Sequence, residues 1–173
     1  MANTYTLIAS STVGSGGASS IDFTSIPATY TDLLLKFSTR DTTTGSNWSG
    51  VRIEFNSSAS NFSGRILYGT GSAAASQTNS GTPDGNVVGY SNSNAATSST
   101  FGNGELYIPN YAGSNNKSIS IDAVSETNAT GALASLGASL WSITSAITSL
   151  SLKPYSGTFV QYSTAYLYGI KNS

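Results

Sequence analysis

The side chains able to do chemistry are few. The 173 residues include no His and no Cys, the two types that most often serve as general base or nucleophile near neutral pH. Eight carboxylates are present: Asp22, Asp32, Asp41, Glu54, Asp84, Glu105, Asp122 and Glu126. Two of them facing each other across a groove would suit glycoside cleavage, but Asp22, Glu54 and Asp122 fall at outward positions of alternating strands, where they solubilise a surface. No Gly-x-Ser-x-Gly elbow occurs, and no Gly-rich loop carries a phosphate-binding Lys. The expectation is a protein that is not an enzyme and holds no cofactor. A structural Ca²⁺ on loop carbonyls with Asp84 or Glu126 is the one metal option, since no Asp-x-Asp-x-Asp loop is present.

Aromatic residues are the remaining asset: two Trp and ten Tyr. An exposed ring beside Asn, Asp or Gln is the chemistry of sugar recognition, the ring stacking on the sugar and the polar groups reading its hydroxyls. Trp48, in the polar stretch Thr42 to Gly50, is the first candidate for such a glycan or partner contact, followed by Tyr111 and Tyr155. The alternative is that Trp48 closes one end of the core and the tyrosines are half-buried with wet hydroxyls. Tyr166 and Tyr168 share one parity of the last strand and read as core or subunit interface.

Charged residues make up 9% of the chain, and the net charge is −1, against about a quarter in typical domains. With no basic stripe to neutralise phosphates, nucleic acid is not an expected partner, nor is an anionic membrane. A chain this neutral does not hold itself open by self-repulsion, so it folds. Met1-Ala2-Asn3-Thr4 lacks the basic and apolar regions of a signal peptide, which gives an expectation of synthesis in a cytoplasm.

The elements that position these groups are strands. Val51, Ile53 and Phe55 alternate with Arg52 and Glu54, and Ile119, Ile121 and Ala123 alternate with Ser118, Ser120 and Asp122, the period of half-buried antiparallel strands. In Asp32 to Thr39, Leu33, Leu35 and Phe37 face one way, leaving Leu34 outward with Lys36 as a candidate oligomer contact. About ten such runs predict one all-β domain over 1–173, a two-sheet antiparallel sandwich of jelly-roll type. Residues 69–104, rich in Ser, Asn and Gly apart from a strand at Val87 to Tyr90, read as a long loop excursion. Leu133, Leu136, Leu140, Ile143, Ile147 and Leu150 have helical spacing. Gly131, Gly137 and many Ser and Thr oppose a helix, favouring two strands with a turn near Thr144 and Ser145.

Two segments carry a resemblance. Tyr5 to Ser10 with Ser20 to Leu35, and Ser156 to Phe159 with Ser163 to Ile170, resemble the opening and close of structural proteins of tailed, often marine, bacteriophages. The resemblance implies a jelly-roll-like virion component, a capsid decoration (cement) or fibre protein. It further implies homotrimers, contacts with other virion proteins and residence in the virion. Its rival is a carbohydrate-binding receptor module of a phage fibre.

Overall fold

Alternation along the chain produces strands only: the computed structural model describes residues 4–81 and 84–171, and among them are twelve strands and no helix. The opening Met1-Ala2-Asn3, read above for its lack of a signal peptide, lies outside the described residues. In chain order the first six strands are β1 (Tyr5–Thr12), β2 (Ile21–Phe23), β3 (Asp32–Thr39), β4 (Trp48–Phe55), β5 (Phe62–Gly69) and β6 (Ala74–Ser80). The second six are β7 (Val87–Asn92), β8 (Gly102–Pro109), β9 (Lys117–Glu126), β10 (Ala132–Trp141), β11 (Leu150–Pro154) and β12 (Thr164–Ile170). They form an eight-stranded sheet, β1-β12-β3-β8-β9-β10-β5-β6, and a four-stranded sheet, β2-β11-β4-β7. Every neighbouring pair is antiparallel.

Inward residues of both sheets meet in one core. Leu33, Leu35, Leu106, Ile108 and Leu167 of the large sheet pack with Val51, Ile53, Phe55 and Leu152 of the small one, all of them fully buried. Each such side chain contributes about 1.5–3 kcal/mol relative to exposure. Gly104 on β8 matters to this packing, because a Cβ there would sit 2.5 Å from Phe37 Cζ. Phe55, Phe62 and Trp141 close the core at one end, Trp141 lying edge-on to Phe55 with ring centroids 5.3 Å apart.

Buried polar groups fasten the connections. The Arg40 guanidinium donates to the carbonyls of Ala96 (3.0 Å), Thr97 (2.8 Å) and Thr100 (3.2 Å), pinning the β7–β8 loop. Its neighbour Asp41 is fully buried, and its Oδ1 accepts from the Thr43 N–H at 2.9 Å. Burial pushes the Asp41 carboxyl above the ordinary carboxylate value, partly offset by Thr43, Ser49 and Arg40. A folded-state value above the unfolded one means the fold holds this proton longer. The contribution of Asp41 to stability therefore declines as pH rises from the usual carboxylate range through the raised value.

Several expectations are corrected. The strands number twelve rather than about ten, and the supposed loop excursion contains β6, whose backbone pairs with β5 from Ser63–Ser80 to Gly69–Ala74. The second strand of 133–150 begins only at Leu150, residues 142–149 forming an irregular connection. Trp48 begins β4 instead of sitting in a loop. Finally, β10 turns its pattern inside out: Ser135 and Ser139 are buried while Leu136 and Leu140 face outward. The helical spacing of its leucines is the trace of this, since residues three apart lie on opposite faces of a strand.

Candidate binding surfaces

Register places the outward side chains of the eight-stranded sheet in rows. Leu7, Tyr168, Leu34 and Tyr107 stand side by side on β1, β12, β3 and β8. The next row runs Tyr166, Lys36, Glu105, Asp122, Leu136 and Leu67 across β12, β3, β8, β9, β10 and β5. Of ten large apolar side chains exposed among the described residues, eight lie on this face: Tyr5, Leu7, Leu67, Tyr107, Val124, Leu136, Leu140 and Tyr166. Scattered exposed leucines are ordinary; the concentration of eight such side chains on one face makes it the apolar face of the sheet. Charge on it is sparse: Lys36 and Glu105 pair, while Asp122 and Arg65 stand exposed on the same face with no ion-pair partner among the described residues. Lys36 Nζ lies 2.7 Å from Glu105 Oε2, an exposed pair contributing about 0–1 kcal/mol. The Tyr107 hydroxyl donates to Asp32 Oδ2 at 2.7 Å, and Asp32 Oδ1 accepts from the Asn110 N–H, so that ring is held in place.

A second, smaller site lies where the β6 edge of the large sheet approaches the β4–β7 pair of the small one. It is a cleft of about 380 Å³ lined by Trp48, Tyr90 and Tyr155, with Thr43, Gln77, Asn79 and Asp84 supplying polar groups. Pairing of β4 with β11 brings Tyr155 beside Trp48, its N–H donating to the Gly50 carbonyl at 2.7 Å. Gly50 faces the Tyr155 ring and Val87, at distances where a Cβ would sit in ordinary van der Waals contact. The Tyr155 hydroxyl donates to Asp84 Oδ1 (2.9 Å), and Arg52 lies 5.4 Å from the ring centroid. The bond to Asp84 is the main reason the Tyr155 phenol is pushed above its ordinary value.

The sequence candidates separate on these two surfaces. Leu34, Tyr166 and Tyr168 lie together on the outer sheet face, which settles their orientation as outward rather than core. Trp48 and Tyr155 share the cleft, with Trp48 half-buried. Tyr111 is corrected: it is fully buried in the core, and its hydroxyl donates to the Pro27 carbonyl, so it offers no surface for a ligand. Sequence reasoning missed Tyr90, Gln77, Asn79 and Leu136. Only Tyr90 gave a signal, as the aromatic member of the Val87-Val88-Gly89-Tyr90 run.

One pattern passed over in the sequence is Ser114-Asn115-Asn116-Lys117, which has the Ser-x-x-Lys spacing of a serine–lysine dyad. Its lysine is otherwise engaged. Lys117 is buried, and its ammonium donates to the carbonyls of Gly113 (2.8 Å), Asn115 and Thr144 (3.3 Å), while Ser114 is exposed. Although burial lowers the Lys117 pKa, three carbonyl acceptors occupy its three donors and tie the 110–116 turn to the 142–149 connection. Among the described residues no three acids converge to hold a metal ion.

The fold and surfaces define an all-β, two-sheet protein with an apolar sheet face and an aromatic cleft. No protein-family model matches the chain, and no curated protein or solved structure matches it either.

Proposed function

We propose that this chain is a virion structural protein of the tailed-phage type, a decoration or fibre component that works by protein–protein contact through the outer face of its eight-stranded sheet. The observation carrying the proposal is that face, where eight exposed Tyr, Leu and Val side chains gather around few charges, the paired Lys36 and Glu105 with Asp122 and Arg65. Interfaces favour Tyr and disfavour unpaired Lys and Glu. The inverted pattern of β10 points the same way: placing Leu136 and Leu140 outward over buried Ser135 and Ser139 suits a second face that is itself covered.

Strand order supports the jelly-roll part of the reading. In a jelly roll the chain crosses repeatedly between two four-stranded sheets, with E and F adjacent in one of them, giving the orders B-I-D-G and C-H-E-F. Here β2-β11-β4-β7 fits the first order. The stretch β3-β8-β9-β10-β5-β6 fits the second, with the β8-β9-β10 meander standing in place of strand H. The meander and the flanking β1 and β12 widen one sheet to eight strands, and that widening creates the broad outer face.

The occupant of the face is other copies of this chain, a trimer being the form the phage resemblance implies, together with neighbouring virion proteins. Multi-angle light scattering of the purified chain at micromolar concentration is expected to give a multiple of the chain mass, threefold for the trimer. A mass of one chain at every concentration contradicts the reading.

A further inference from the structure

We infer that the cleft formed by Trp48, Tyr90 and Tyr155 is a binding site for a neutral sugar, a function separate from the contact face. Three aromatic side chains line one pocket of about 380 Å³, within the roughly 300–1,000 Å³ of small-ligand sites. It lies on different elements from the apolar rows of the large sheet, so occupation of one surface leaves the other open.

Its polar groups match hydroxyls rather than charge. The Asp84 carboxylate, one oxygen engaged by the Tyr155 hydroxyl at 2.9 Å, stands on the rim as an acceptor. Gln77 Nε2 donates to Asn79 Oδ1 at 2.9 Å, which leaves the Gln77 carbonyl to accept and the Asn79 amide to donate. Both residues face inward from the β6 edge, since Gln77 pairs with the buried Ile66. Donors and acceptors converging beside ring faces suit the alternating C–H and O–H surface of a pyranose. The lining contains no Lys or Arg: Arg52 is turned to the Tyr155 ring and the Pro154 carbonyl. With a carboxylate on the rim and no cation in the lining, the site disfavours acidic sugars.

Tyr155 is placed rigidly for this role. Its backbone is bonded to Gly50, its hydroxyl to Asp84, and its ring is braced by Arg52. A single shallow site of this kind binds weakly, at roughly millimolar dissociation constants, and many copies on one particle multiply that affinity.

Nuclear magnetic resonance of ¹⁵N-labelled protein tests the assignment, because the chain has two indoles and Trp141 is buried in the core as an internal reference. The probes are maltose, lactose and N,N′-diacetylchitobiose, with sialyllactose as the acidic comparison. At least one neutral disaccharide is expected to shift the Trp48 indole resonance in a saturable way and leave that of Trp141 in place. Tyr155→Ala is expected to weaken this binding at least tenfold, as are the exposed substitutions Asp84→Ala and Gln77→Ala, which leave the core untouched. The inference is overturned if no neutral probe moves the Trp48 signal at about 50 mM, well above the expected constant. It is equally overturned if sialyllactose binds best, or if all three variants bind like the parent. An indole shift that follows protein concentration instead of sugar assigns the cleft to a subunit contact and also overturns it.

Discussion

On the assembly proposed above, replacing Leu136 by lysine and Leu67 by glutamate together is expected to give monomers while each chain keeps its fold. The two leucines oppose each other on β10 and β5 and are 57% and 55% exposed, so neither supports the core. In the lone chain the introduced charges pair with each other across the strands, and the lysine also neighbours Asp122. Covered by another subunit, the same two charges are desolvated at a cost of several kcal/mol each. Light scattering should show at least a hundredfold loss in association, and thermal melting of the monomer should be little changed. Unaltered assembly in the double variant would place the interface elsewhere.

Trp141→Ala is the substitution expected to cost the fold most. Trp141 is 2% exposed and packs edge-on to Phe55 and stacked on Phe62, their centroids 5.3 and 6.2 Å away. Truncating a buried Trp costs about 3–5 kcal/mol through lost transfer energy and the cavity left behind. For a chain of this length that is roughly 10–15 °C in melting temperature. The indole Nε1 is buried without a partner among the described residues, so the loss is one of packing and not of a hydrogen bond. Trp141→Phe, which removes that orphaned donor and keeps a ring against Phe55 and Phe62, should therefore cost clearly less than Trp141→Ala. Differential scanning calorimetry of the two variants separates these outcomes. Equal destabilisation by both would contradict the packing account.

The strands that sequence made legible are those with one wet and one dry face. Val51, Ile53 and Phe55 are fully buried, as alternation requires, and Leu33, Leu35 and Phe37 turn inward while Leu34 and Lys36 turn outward. The strand β6 left no such trace. Ala74-Ala75-Ser76-Gln77-Thr78-Asn79-Ser80 buries only Asn79 and is held at the sheet edge by backbone pairing with β5, which any composition without Pro can make. In β10 the signal misled, because its outward face carries Leu136 and Leu140 while Ser135, Gly137 and Ser139 lie inward between Leu133 and Trp141. Gly137 there lies so close to Ile121 that a Cβ would approach its Cδ1 at 3.0 Å.

The candidate sites were legible as residues and not as places. Trp48 and Tyr155 are far apart in the chain, and only the β4–β11 pairing joins them. Tyr111 and Tyr155 are chemically the same side chain, and the contacts around each decide that one is core and the other surface. The second row of the outer face could not be read at all, since it depends on the order of six strands from distant parts of the sequence.

Hydroxyl-radical footprinting of the assembled protein tests the central claim most directly. Five tyrosines are 38–68% exposed in the single chain: Tyr5, Tyr107 and Tyr166 on the outer sheet face, and Tyr155 and Tyr162 away from it. Oxidation of Tyr5, Tyr107 and Tyr166 is expected to slow several-fold on assembly while Tyr155 and Tyr162 react as in the lone chain. Undiminished oxidation of the three face tyrosines, with protection falling on Tyr155 or Tyr162 or on none, would contradict the account.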